Sequence, residues 1–131
     1  MIQLIIGGAF QGKREYAAER FHLKTEEIAE GESCEPEACL HAKCVHDFHL
    51  VVRSMMLRGE DPFVLTERML TENPNAVIIF NEVGCGIIPL EKTERMWRET
   101  MGRIGCRLAA AAENVIRINC GLASVLKGEL S

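Results

Sequence analysis

The sequence predicts an α/β domain in three layers, with helices on both faces of a small, mainly parallel sheet. Three observations carry that prediction. A short apolar run enters a glycine-rich loop and leaves it as a helix within residues 2–21. Ala76-Val77-Ile78-Ile79-Phe80 is an unbroken apolar run, as expected of a strand buried on both faces. Elsewhere, short apolar runs alternate with segments of helical period, the pattern of parallel strands joined by crossover helices.

Ile2, Leu4, Ile5 and Ile6 form the first strand, and Tyr16, Ala17, Arg20 and Phe21 fall at helical spacing after it. Between them lies Gly7-Gly8-Ala9-Phe10-Gln11-Gly12-Lys13-Arg14. Glycines let backbone N–H groups turn inward around an anion, and a helix beginning there adds its positive end. Gly7, Gly12 and Lys13 match the phosphate-binding loop pattern G-x-x-x-x-G-K-[ST], and Arg14 stands where a hydroxyl normally holds magnesium. Residues 7–14 are therefore the expected nucleotide-binding segment, with Lys13 spanning the outer phosphates. The fold expectation becomes a P-loop NTPase-like domain.

Glu30 to Glu37 is acidic and broken by Gly31 and Pro36, which predicts an exposed excursion with one helical turn. Cys44-Val45 reads as a very short strand. Phe48, Val51, Val52, Met55 and Met56 mark one face of a helix that Gly59 ends. Asp61-Pro62 places a capping carboxylate before proline at the first helical position, and Asn73-Pro74-Asn75 closes that helix. After the strand at 76–80 comes a glycine-rich loop, Asn81 to Pro89. The longest helix is expected from Glu91 to Glu113, burying Trp97, Met101, Ile104, Leu108 and Ala111. Gly102 and Gly105 within it cost roughly 1 kcal/mol each against alanine, so they suit close approach of a backbone or ligand. Val115 to Ile118 returns as a strand, and Cys120-Gly121 begins a tail.

At 131 residues the chain is expected to be one domain, spanning 1–131. A formal charge of −4 gives no general attraction to nucleic acid or anionic membrane. No apolar stretch is long enough to span a bilayer, and the first residues lack signal-peptide features, so a cytoplasmic location is expected. In that setting the six cysteines are expected to be reduced thiols. Cys85, Cys106 and Cys120 read as small hydrophobes, and Cys34, Cys39 and Cys44 lack the C-x-x-C spacing of structural zinc sites.

Glu82 follows the apolar strand, where open parallel sheets place ligands, and could hold metal or orient a nucleophile. Its alternative role is to cap the following loop. Gly84 and Gly86 bring flexible backbone beside it. Arg103 and Arg107, four apart, are candidates for phosphate contacts or for surface ion pairs. His46 and His49 would share a face if they lie on one helix, as a two-histidine metal site or as imidazoles near the phosphate pocket.

Gly7-Gly8-Ala9 with Gly12-Lys13, then Asn81-Glu82-Val83-Gly84-x-Gly86-Ile87-x-Pro89, then Gly102-Arg103 and Arg107-Leu108-Ala109-Ala110 resemble the adenosylcobinamide kinase / adenosylcobinamide-phosphate guanylyltransferase family of cobalamin biosynthesis. The N-E-V-G-x-G-I-x-P run is the most specific part. The likeness covers residues 1–21 and 76–127, where 121–127 resembles the family's terminal strand.

The resemblance implies a trimeric P-loop kinase that phosphorylates the cobinamide hydroxyl with ATP or GTP, and then accepts GMP on a histidine. It implies nucleotide contacts at Gly8, Gly12 and Lys13 and an acidic metal ligand at Glu82. Catalysis is expected from Lys13 and Glu82, and substrate contacts from Gly84, Gly86 and Arg103, with a corrinoid as partner. Two departures stand out. Arg14 replaces the family's magnesium-binding serine, and the shortened middle leaves His41, His46 and His49 unmatched to the guanylylated histidine. Two readings follow: a reduced cobinamide kinase, or a non-catalytic nucleotide-binding relative.

Overall fold

The computed structural model describes residues 1–82 and 91–129. Its strands are β1 (Gln3–Gly7), β2 (Ile28–Glu30), β3 (Cys44–His46), β4 (Val77–Asn81), β5 (Asn114–Asn119) and β6 (Leu122–Lys127). The helices are α1 (Lys13–Arg20), α2 (Phe48–Leu57), α3 (Pro62–Glu72) and α4 (Lys92–Ala111). The strands form one six-stranded sheet in the order β2-β3-β4-β1-β5-β6. All neighbours are parallel except β5 and β6.

Alternation along the central strands sends successive side chains to opposite faces. Leu4, Ile78, Phe80 and Val115 pack with Phe48, Val52, Met69, Ile104 and Leu108 from α2, α3 and α4. Ile5, Ile79, Ile116 and Ile118 share the opposite core with Ala17 of α1, flanked by Tyr16 and Phe21. The three-layer expectation holds.

Several local expectations change. Ile28–Glu30, where the sequence predicts no strand, is a strand paired with β3. The helical turn expected in the acidic excursion is a 3₁₀ turn at Pro36–Leu40, which runs past Glu37 and buries Cys39 and Leu40 just beyond it. Helix α4 runs from Lys92 to Ala111, within the expected bounds. The tail after Cys120-Gly121 is β6, whose side chains are mostly exposed. Cys106 and Cys120 are exposed thiols rather than small buried hydrophobes. Asp61 caps α3 as expected, its carboxylate accepting from the Phe63 N–H at 2.9 Å. The loop expected over Asn81 to Pro89, with Gly84, Cys85 and Gly86, falls largely outside the described residues. Among the described residues no helix is long and apolar enough to cross a membrane.

The connections decide where a site can form. From β1 the chain runs through α1 to the β2 edge, whereas from β4 it runs through α4 to β5 on the other side of β1. The loops after β1 and β4 therefore part at the carboxyl end of the sheet, the place where such sheets bind ligands.

Candidate nucleotide site

The loop after β1 is shaped by backbone constraints. At Gly7 an added Cβ would fall on the Ile118 carbonyl oxygen, so only glycine lets β1 run this close to β5 there. Gly12 takes φ 86° at the start of α1, a conformation that favours glycine. The loop crown is tied sideways to the β5–β6 turn. The Gln11 side-chain oxygen accepts from the Cys120 N–H at 2.6 Å, and the Gln11 carbonyl accepts from the Gly121 N–H at 3.0 Å. Phe10 stands fully exposed at the crown with φ 58°.

Lys13 is 5% exposed, and its ammonium donates to the Gly8 carbonyl at 2.6 Å, folding the side chain back across the loop. Burial pushes its pKa down, while the nearby charges of Asp47, Glu15 and Glu82 work the other way. The loop lines a pocket of about 320 Å³ whose other walls include His46, Asp47, His49 and Asn81.

Those walls come from the ends of β3 and β4. His46 is the last residue of β3, Asp47 turns the chain with φ 56° and ψ 48°, and α2 starts at Phe48. The two histidines therefore do not share a helical face, and the expected arrangement is corrected. They meet at the pocket because the left-handed turn at Asp47 brings the first turn of α2 back beside the strand end. Gly31 makes that turn possible. Its N–H donates to the His46 carbonyl at 2.7 Å, and a Cβ on it would fall on the Asp47 carbonyl oxygen.

A charged network closes one side. Arg14 donates to one oxygen of Glu30 from Nε at 3.0 Å and from its terminal nitrogen at 2.7 Å. His46 Nδ1 donates to the other Glu30 oxygen at 2.6 Å, and His46 Nε2 lies 3.3 Å from Asp47 Oδ1. Burial works against the Glu30 charge, but the hydrogen bonds from His46 and Arg14 hold its pKa below the ordinary value. Asp47, Glu30 and Gly31 carry the architecture here, and the sequence reading assigned none of them a role. The one available signal is an aspartate two residues after the short strand expected at Cys44-Val45.

Glu82 begins beside the loop but turns its carboxylate to another partner. Its N–H donates to the Gly7 carbonyl at 2.8 Å, but its carboxylate accepts from Arg117 at 2.7 and 3.3 Å. That ion pair lines a second, mostly apolar cavity of about 290 Å³ between α4 and the sheet, reached also by Gly102 and Gly105. Arg103 pairs with Glu99 at 2.7 Å and Arg107 with Glu67 at 2.7 Å, which are surface ion pairs. Neither position expected to hold magnesium has an uncommitted oxygen: Arg14 has none, and both Glu82 oxygens face Arg117. The residues do not fit a magnesium site of the serine-bearing type. Among the described residues no cluster of three or more His, Cys, Asp or Glu side chains is arranged to hold a metal.

A profile of the cobinamide kinase / cobinamide phosphate guanyltransferase family matches residues 58–126, just over half of the chain. The chain belongs to this family. As a family member it is 41% identical over 51 residues to the bifunctional adenosylcobalamin biosynthesis protein CobU of Salmonella typhimurium, and 39% identical over 51 residues to that of Escherichia coli K12. Each match covers 39% of this chain and only 28% of the relative. The P4 protein of bacteriophage phi6, solved in complex with ADP, aligns over 94% of this chain and 52% of its own, with a TM-score of 0.44 and 15% identity. The profile match begins well after Lys13, so the phosphate-loop assignment stands on its own sequence pattern and geometry.

Proposed function

We propose that this chain binds ATP or GTP in the Lys13 pocket and phosphorylates a cobinamide-type hydroxyl. The observation that carries the reading is the buried Lys13 ammonium folded over a glycine loop, at the mouth of a polar pocket between diverging strand ends. In the reaction the acceptor oxygen bonds to the γ-phosphorus, the β–γ bridging oxygen leaves with the nucleoside diphosphate, and the hydroxyl proton is released. Positioning and charge neutralisation supply most of such catalysis, which is the part a buried lysine can play.

In this reading residues 7–13 hold the phosphates. Gly84 and Gly86 remain the proposed acceptor side, on the strength of the family resemblance. Glu82 can serve as the acid only after leaving Arg117, and Arg103 only after leaving Glu99. Guanylyl transfer is not part of the proposal. The family reading also makes the chain a homo-oligomer, a trimer by resemblance. The exposed Leu57, Phe63, Val64 and Met96 offer apolar surface for it. Light scattering at micromolar concentration tests this, and a monomeric mass counts against it.

A second reading, a nucleotide-binding relative without catalysis, is favoured by Arg14 in the hydroxyl position and bonded to Glu30. Incubation with γ-labelled ATP or GTP and adenosylcobinamide separates the two. Labelled corrinoid supports the kinase, whereas tight nucleotide binding without labelled product supports the second reading. Absence of nucleotide binding rejects both.

A further inference from the structure

His49 is 4% exposed, yet its ring lines the Lys13 pocket. Its Nδ1 accepts from the Asn81 backbone N–H at 3.0 Å. A backbone amide can only donate, so Nδ1 carries no proton, and in the neutral ring the proton must sit on Nε2. The residue cannot easily rotate out of this arrangement. Its own carbonyl accepts from the Trp97 indole N–H at 3.0 Å, and the Trp97 ring lies 6.3 Å from the imidazole. Burial lowers its pKa to about 4, which keeps the ring neutral.

Among the described residues Nε2 has no hydrogen-bond partner, yet no described buried side-chain nitrogen or oxygen sealed from solvent lacks one. The Nε2 edge therefore retains access to the cavity. A donor held this way is an unmet hydrogen bond waiting for an acceptor, and the acceptor-rich ligand of a lysine-containing glycine loop is a phosphate chain.

We infer that His49 is a positioning residue that donates its Nε2 proton to a phosphate oxygen of the nucleotide in the Lys13 pocket. This inference rests on the nucleotide-binding reading above. It separates His49 from a general base or a phosphate acceptor, because the nitrogen facing the pocket already carries the proton.

Two amide substitutions divide the roles of the ring. The shorter side chain of His49→Asn can place an oxygen near the Nδ1 position and keep the Asn81 bond, but it does not reach the Nε2 position. His49→Gln reaches the Nε2 position with an N–H and gives up the Asn81 bond. Calorimetry with β,γ-imido-ATP and β,γ-imido-GTP, and thermal melting, are measured on both variants and the native chain.

The expected result is at least fivefold weaker binding in His49→Asn with little change in melting, and closer to native binding in His49→Gln despite a lower melting temperature. A purely structural histidine gives the opposite ranking, and that ranking overturns the inference. If native protein binds neither analogue, the nucleotide reading fails and takes this inference with it. Nitrogen-15 NMR of unliganded native protein at neutral pH is a separate check: a proton on Nδ1 of His49 overturns the inference even where nucleotide binds.

Discussion

The cavity at the carboxyl end of the sheet and the one between α4 and the sheet face are close in volume, about 320 and 290 Å³, and opposite in chemistry. The first is walled by strand ends and the helix starts that follow them: Lys13, His46, Asp47 and His49. The second is walled by the side of α4 and the sheet face, with Glu82–Arg117 as its ion pair. Backbone termini bring unsatisfied N–H groups and closely spaced charges, whereas a helix flank over a sheet brings methyl groups. Size alone would not choose between the two. Lys13 and Glu82, expected from sequence to act together, line different cavities, although the Glu82 charge still acts on Lys13.

The comparison breaks most severely through Gly31. Gly31→Ala pushes a methyl group onto the Asp47 carbonyl and should cost about 2–3 kcal/mol in chemical denaturation, because backbone must move to admit it. The substitution should disturb the polar pocket and leave the α4 cavity intact. A stability within about 0.5 kcal/mol of native, the usual range for a harmless surface change, would show that the Asp47 turn is softer than its geometry implies.

Acid probes the same pocket. The folded-state pKa of His49 is lowered, to about 4 from 6.5, so protonation favours the unfolded chain. The stability is full above the unfolded value and is lost as pH falls from 6.5 towards 4, at up to roughly 1.4 kcal/mol per pH unit. Denaturation midpoints at about pH 7 and about pH 5 should differ in native protein and differ less in His49→Asn. Equal differences would remove His49 as the cause.

Lys13→Ala should weaken nucleotide binding at least tenfold, about 1.4 kcal/mol, without unfolding the domain. Equal affinity in calorimetry would mean that the loop is an ordinary βα turn. Arg14 sharpens the point. Held on Glu30 and lacking an acceptor, it cannot take magnesium, so native binding should change little between EDTA and excess magnesium. Arg14→Ser should increase that dependence, and strong, equal dependence in both proteins would reject this reading.

The smallest effect is expected in the apolar cavity. An added methyl group at Gly102 meets nothing within 4 Å, so Gly102→Ala should stabilise α4 by about 0.5–1 kcal/mol. Nucleotide affinity should not change. A loss of affinity would mean that the α4 cavity belongs to the nucleotide site after all.

Legibility from sequence followed element length and burial. The strand at Ala76–Phe80, helix α4 and the β1–loop–α1 unit were readable because long apolar runs and helical periods leave several residues of signal. β2 was not, since Ile28-Ala29-Glu30 is too short to show a period and ends in a charge. The His46–Asp47–His49 corner was hidden for another reason. Asp47 makes a left-handed turn without glycine or asparagine, so the aspartate itself is the one weak mark that a strand stops and a helix starts between the two histidines. Arg14 departs visibly from the loop pattern, but its partner Glu30 lies in a segment whose acidity reads as exposed surface.

The ties between Gln11 and the β5–β6 turn make the hairpin a gauge of the loop. The amide hydrogens of Cys120 and Gly121 are both bonded to Gln11, so they exchange with solvent only when the loop crown lets go. Their protection factors therefore read the free energy of loop opening directly, from two backbone positions outside the phosphate loop. A ligand that orders the crown should slow exchange at these two amides together, while the amides inside β6 keep their own rate.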